Sequence, residues 1–177
     1  MNKEELAREI FASSYLTGNF MLRSGVYSSE YFDKYRFESN PSILRAIASE
    51  FAKVLPGPIQ LLAGMELGGI PLATALSMET GLPCLFVRKE AKSHGTQKSI
   101  EGVDFEGKTV CLVEDVVTTG GQIVDGINAI RDNGGTVEHA LCVILRTGKV
   151  VQSLEQHGVQ LHYLFTMQDL KQFVEKG

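Results

Sequence analysis

Val110-Cys111-Leu112-Val113-Glu114-Asp115-Val116-Val117-Thr118-Thr119-Gly120-Gly121 joins an apolar run to a helical one through two carboxylates, two hydroxyls and two glycines. Residues 109–113 read as a strand buried on both faces. Residues 120–133 read as a helix, because Ile123, Ile127 and Ile130 fall on one face. The same alternation extends outward. Upstream, residues 3–15 carry Leu6, Ile10 and Phe11 at helical spacing. Asn40-Pro41 reads as an N-cap with proline at the first helical position. Ile43, Leu44, Ile47, Phe51 and Val54 then form one stripe, ended by Pro56-Gly57. A short apolar run at 59–63, a turn at 64–69, a helix near 70–79 and a strand at 84–87 follow. Downstream, 137–145 and 161–165 read as strands, and Thr166 with Asp169 as a capping box opening a last helix. The pattern predicts an α/β fold: a single domain spanning 1–177 with a mostly parallel sheet flanked by helices. Ligands of such sheets bind beyond the carboxyl ends of the strands.

Composition sets the outer bounds. The chain has 177 residues, long enough for one domain with a sizeable core. Its net charge of -4 argues against nucleic-acid binding, which needs a basic face. The polar, acidic start Met1-Asn2-Lys3-Glu4-Glu5 is no secretory signal, and no apolar run reaches membrane-spanning length. Cys84, Cys111 and Cys142 lie far apart inside strand-like runs, which predicts buried thiols of a cytoplasmic protein.

The segment from Glu114 to Gln122 carries the sharpest chemistry. Backbone N–H groups, the hydroxyls of Thr118 and Thr119 and a helix N-terminus surround one point, which suits a phosphate monoester. The carboxylates beside it repel phosphate but accept hydrogen bonds from sugar hydroxyls. The arrangement therefore describes a ribose 5-phosphate, with the diol on Glu114 and Asp115 and the phosphate on Val116, Val117, Thr118, Thr119, Gly120, Gly121 and Gln122. The competing reading is a solvated acidic turn before a helix. Val113 to Gln122 resembles the signature of type I phosphoribosyltransferases. That resemblance implies a parallel five-stranded sheet and a small N-terminal hood, formed mainly by about residues 1–40 plus C-terminal elements.

A second segment, Val87-Arg88-Lys89-Glu90-Ala91-Lys92-Ser93-His94-Gly95, concentrates positive charge at a strand end. Alone it reads as a solvated charged loop. Residues 92–104 are rich in glycine, serine, threonine and charges, which predicts a mobile loop. A mobile cationic lid suits a diphosphate leaving group whose charge grows in the transition state. The segment resembles the catalytic loop of orotate phosphoribosyltransferases. The resemblance implies that Arg88, Lys89, Lys92 and His94 hold diphosphate, some of them in a neighbouring subunit's site within a homodimer.

Phe20-Met21-Leu22-Arg23-Ser24-Gly25 and Tyr31-Phe32-Asp33 form a third segment. The adjacent aromatics offer a stacking face for a flat heterocycle, or else belong to the core; Arg23 can meet a carboxylate. This segment resembles the base-binding hood of the same family, which usually shows lysine where Arg23 stands. By the same resemblance Arg146 and Thr118 contact the pyrimidine, and Gly64 to Gly69 is the diphosphate-binding turn. Some members carry a lysine in that turn; here Leu67 and Gly68 stand instead.

Three other signals lead nowhere. Gly102 to Thr109 spells a Walker A motif but opens a strand rather than a helix. The glycines at 64–69 do not spell a dinucleotide fingerprint. His139, His157 and His162 lack metal-ligand spacing, and Glu114 with Asp115 is too small a set for a structural metal. The metal expected is Mg²⁺ carried in by diphosphate, with ligands mostly from substrate and water. The expected activity is transfer of phosphoribosyl from its diphosphate to orotate, in pyrimidine biosynthesis. Alternatives are a transferase for a purine or other base, or a non-catalytic regulator binding phosphoribosyl diphosphate. The latter should carry an added DNA-binding segment or lack the basic loop; this chain retains the loop.

Overall fold

The computed structural model describes residues 1–22, 25–89 and 99–175. In chain order the elements are α1 (Lys3–Ser14), β1 (Tyr15–Met21), β2 (Tyr27–Phe32), α2 (Lys34–Glu38), α3 (Pro41–Val54), β3 (Leu61–Met65), α4 (Gly69–Thr80) and β4 (Cys84–Val87). They continue with β5 (Ile100–Gly102), β6 (Thr109–Val117), α5 (Gly121–Asp132), β7 (Thr136–Leu145), α6 (Lys149–Gln156), β8 (Gln160–Thr166) and α7 (Met167–Glu175).

The central sheet has six strands in the order β5-β4-β3-β6-β7-β8. Strands β4, β3, β6, β7 and β8 run parallel, and β5 closes one edge antiparallel to β4. All five residues of β3 are buried, as expected for a strand covered on both faces. On one face Ile123, Ile127 and Ile130 of α5 and Val150 and Leu154 of α6 meet Leu61, Leu112 and Ala140. On the other, α1, α3, α4 and α7 bring Leu6, Ile10, Ile47, Phe51, Leu72, Leu76 and Leu170 onto Leu62, Val113 and Val143. The hairpin β1–β2 forms a separate two-stranded sheet.

Most of the expected elements are present, and the differences have physical causes. Strand β6 runs four residues past Val113, because Glu114 pairs with Cys142, Val116 with Ile144 and Val117 with Leu145. The carboxylates therefore lie within the strand rather than after it; their polarity ended the apolar run that marked the strand in the sequence. Residues 99–102, expected to belong to a loop, form β5 and its approach. That pairing depends on β4, with Phe86 opposite Glu101. Helix α6 and the β1–β2 hairpin carried no distinct signal. Cys111 and Cys142 are buried, whereas Cys84 is half-buried; all three are free thiols. Gly102 ends a strand and Thr109 opens one, so the Walker-like spelling has no P-loop context.

Helix α3 shows how local and tertiary terms combine. Asn40 Oδ1 accepts from the Ser42 and Ile43 N–H groups at 3.0 and 3.3 Å, and Pro41 occupies the first turn. Each fully buried Ile or Phe of its stripe contributes about 1.5–3 kcal/mol, more than a cap. Asn40→Ala should therefore lower stability by about 0.5–2 kcal/mol without unfolding the chain. Urea denaturation checks this; an unchanged midpoint would show that the cap contributes nothing.

Candidate active site

The carboxyl ends of β3, β4, β6 and β7 open onto three adjoining clefts. The first, about 210 Å³, is lined by Glu114 and by every residue from Val116 to Ile123. Strand β6 delivers the chain to Val117, and Gly120 then turns it with φ +79°. A side chain at Gly120 would meet Val150 Cγ2 at 2.3 Å, so only glycine fits this turn. Gly120 lacks a side chain to cap α5. The first-turn N–H groups of α5 are thus left for an external acceptor, with the helix dipole behind them. Thr118 and Thr119 are exposed on the rim.

The second cleft, about 170 Å³, is reached from the first across Gln122, which lines both. Arg88 and Lys89, at the end of β4, face Glu66, Gln122 and Asp125 here. The Lys89 N–H donates to Glu66 Oε2 at 2.8 Å, which ties the basic segment to the turn after β3. Arg88 Nε is buried and has no hydrogen-bond partner among the described residues. An unpaired guanidinium nitrogen beside a cleft is poised for an anion. Lys92 and His94 lie outside the described residues.

The third cleft, about 470 Å³, adjoins the first at Thr118. Tyr31, Phe32, Thr118 and Arg146 all line it, so four of the five residues expected around the base come together. The fifth, Arg23, lies outside the described residues. The register of β6 and β7 places Arg146: its N–H donates to Val117 O at 2.9 Å. The two aromatics do not form one stacking face. They alternate along β2, so Tyr31 tilts against Phe20 with centroids 5.5 Å apart, while Phe32 lies 6.4 Å from Phe37. Lys171 of α7 also lines the cleft, 3.8 Å from Glu30. The sequence had not singled out this second cation, which reaches the cleft only because α7 docks against α1.

Beneath the clefts lies a buried cluster of charge. Asp115 is fully buried; its Oδ2 takes the Lys34 ammonium at 2.6 Å and its Oδ1 accepts from the Val116 N–H. Glu114 and Glu38 are 5% and 6% exposed, and Glu114 Oε2 and Glu38 Oε1 have no hydrogen-bond partner among the described residues. The turn after β3 closes over these groups with almost no room. A Cβ at Gly68 would lie 1.6 Å from Asp115 Oδ2 and 2.8 Å from Glu38 Oε1. Within this turn the Glu66–Leu67 peptide bond is cis. Neither Lys34 nor Glu38 stood out in the sequence. A lysine four residues before a glutamate in a charged stretch reads as a solvated helix pair.

Burial raises the Glu38 carboxyl to about 9, and the neighbouring Asp115 adds to the rise. Burial, then the Asp115 charge, also raises Glu114 well above the usual carboxylate range. Burial alone would lower the Lys34 ammonium, but the attraction of Asp115 and Glu114 outweighs it and raises the group. His139 and His162 meet at 3.2 Å across β7 and β8. Even so, among the described residues no group of three or more His, Cys, Asp or Glu could hold a metal ion.

An acidic pair on a parallel strand, leading into a hydroxyl-and-glycine loop at a helix N-terminus, defines a phosphoribosyl-binding protein of the α/β class. Residues 36–158 match the family model described as the phosphoribosyl transferase domain. The orotate phosphoribosyltransferase of a Nocardioides species is 44% identical over 172 residues, which are 97% of this chain and 96% of that protein. The crystal structure of orotate phosphoribosyltransferase from Aeropyrum pernix is 31% identical, with a TM-score of 0.84 over 97% of this chain and 99% of that one. The Mycobacterium tuberculosis enzyme of the same name is 29% identical, with a TM-score of 0.86 over 95% and 98%. The chain belongs to the orotate phosphoribosyltransferases, within the phosphoribosyl transferase family.

The raised carboxyls predict how stability responds to pH. A carboxyl raised toward 9 keeps its proton in the folded chain where the unfolded chain has lost it. Its stabilising contribution is fully present below about pH 4.5 and is lost as pH rises toward about 9. One such group gives a slope of at most about 1.4 kcal/mol per pH unit. Urea unfolding from pH 5 to pH 9 should show declining stability, and Glu38→Gln should flatten the decline. Equal slopes for both chains would exclude Glu38 as a source.

Proposed function

We propose that this chain transfers the phosphoribosyl group of 5-phosphoribosyl 1-diphosphate to N1 of orotate, giving orotidine 5'-monophosphate and diphosphate. The observation that carries the reading is the contiguity of the three clefts. Gln122 joins the basic cleft to the phosphate loop, and Thr118 joins that loop to the aromatic, cation-bearing cleft. The adjoining clefts offer seats for diphosphate, for ribose 5-phosphate and for a carboxylated base.

Each group then has one task. Val116, Val117, Thr118, Thr119, Gly120, Gly121 and Gln122 hold the 5-phosphate by N–H groups, hydroxyls and the helix dipole. Glu114 and Asp115 hold the ribose diol; Glu114 lines the first cleft, whereas Asp115 lies buried beneath the turn after β3 and must be uncovered to reach the sugar. Tyr31, Phe32 and Thr118 orient the flat base, while Arg146 and Arg23, with Lys171 nearby, favour its carboxylate. As N1 bonds to the anomeric carbon, the C–O bonding pair leaves with diphosphate and the N1 proton is lost. Arg88, Lys89, Lys92 and His94 stabilise the departing charge. No covalent enzyme intermediate is required; positioning and electrostatic stabilisation account for the rate. A Mg²⁺ ion arriving with the diphosphate would neutralise part of its charge, with most ligands from substrate and water. The whole chain acts as one domain, with the hood formed mainly by about residues 1–40 plus C-terminal elements. No helix among the described residues is long and apolar enough to cross a membrane.

Orotate, uracil, hypoxanthine, guanine and adenine, each supplied with phosphoribosyl diphosphate and Mg²⁺, test the assignment. Orotate alone should be consumed. Turnover of a purine with orotate inert would remove the orotate reading and leave the fold assignment standing.

The active form is a homodimer in which the basic segment serves the neighbouring site. Mixing Lys92→Ala with Asp115→Asn under subunit exchange would put both lesions in one site of a mixed dimer and leave the other intact. Roughly a quarter of wild-type activity should return, since about half of random dimers are mixed. No recovery despite proven exchange would assign Lys92 to its own chain's site.

A further inference from the structure

Glu38 belongs to no element of the proposed chemistry, yet it is among the most thoroughly buried polar residues described. It ends α2, is 6% exposed, and its Oε1 has no donor among the described residues. Carboxyls in that condition are rare, because leaving a buried polar atom unpaired costs about 1–3 kcal/mol and burying an unpaired charge costs more. Its surroundings show what the oxygen meets. The point where a Gly68 Cβ would sit is 2.8 Å from Glu38 Oε1 and 1.6 Å from Asp115 Oδ2, so the two carboxyls crowd one spot. Two ionised oxygens cannot share such a spot, whereas a carboxylic acid can donate to a carboxylate. Lys34 already pairs with that same Asp115 oxygen at 2.6 Å, which leaves Glu38 as the partner that can give a proton to the contact.

We infer that Glu38 is a positioning residue: as a neutral acid it donates a hydrogen bond to Asp115 and, together with Lys34, fixes that carboxylate beneath Gly68 in the orientation the ribose diol requires. This rests on the reading of Asp115 as a ribose-binding carboxylate. Glu38 lines none of the three clefts. The charged groups facing it are Asp115 and Glu114 from β6 and Lys34 from its own helix. Helices α1 and α3, which pack on α2, turn Leu6, Ile10, Ile43 and Ile47 toward the core. The neutral form is the one burial favours, since the carboxyl is raised to about 9. Ionisation at higher pH would set a third negative charge against Asp115 and the incoming donor.

The test is the affinity for phosphoribosyl diphosphate with Mg²⁺, measured by calorimetry without any base. Glu38→Gln keeps a neutral donor of the same shape, and Glu38→Leu keeps only the volume. The leucine variant should bind the donor at least tenfold more weakly, and the glutamine variant within about threefold of the parent. In steady-state assays the KM for orotate should change less than twofold in both. Between pH 7.5 and pH 9.5 the parent should lose donor affinity more steeply than Glu38→Gln. Three results would overturn the inference: parent-like binding by the leucine variant, glutamine as damaging as leucine, or identical pH profiles for parent and Glu38→Gln. If the leucine variant does not fold, the pH comparison decides alone. Donor binding without orotate turnover would count against the proposed base while leaving the role of Glu38 intact. Failure of the parent to bind the donor would overturn both.

Discussion

The Lys34–Asp115 ion pair anchors a cluster in which one ammonium faces three buried carboxyls at the heart of the molecule. Taking a carboxylate out of water costs several kcal/mol, and a single lysine cannot offset three such costs. Glu38 and Glu114 are both raised by burial, and Asp115 keeps the lysine. This concentration of charge is tolerable only because large apolar clusters on both faces of the sheet hold the surrounding frame. It is useful because a polar group fixed before substrate arrives needs no reorganisation when substrate binds.

Much of the local architecture serves that cluster. Strand β6 continues past its apolar stretch so that Glu114 and Asp115 are held by pairing to β7 rather than left on a loop. Gly68 and Gly69 bring the start of α4 so close that a Cβ at Gly69 would meet Val113 O at 2.2 Å. The turn after β3 thus lies directly over the acidic pair. The same register that extends β6 also sets Arg146 next to Val117, so the phosphate loop and the base cleft share one backbone scaffold.

The parts of the site that are continuous in sequence were legible in it. From Glu114 to Gln122, carboxylates, hydroxyls and glycines follow one another on a strand–loop–helix unit, and local chemistry is enough to read them. The segment at Arg88 and Lys89 was legible as charge. That it adjoins the phosphate loop follows from β4 and β6 both flanking β3. Tyr31 and Phe32 were visible as aromatics, but their alternation along β2 sends them in different directions. Lys34, Glu38 and Lys171 were not legible. Their environment comes from elements distant in the chain, and in a sequence a charged residue near other charged residues reads as solvated.

By itself the sequence determined the order of helices and strands, the parallel sheet and the phosphate loop, because these follow from periodicity and from chemistry within a few residues. It also determined the family, since the acidic-pair segment is specific. Tertiary structure alone decided where β6 ends, whether residues 99–102 pair, and which charges are buried. Strand length depends on a partner's register, and a carboxyl's protonation depends on how much water neighbouring elements exclude. Neither quantity exists until distant segments pack, so the environment that governs Asp115 arises only in the folded chain.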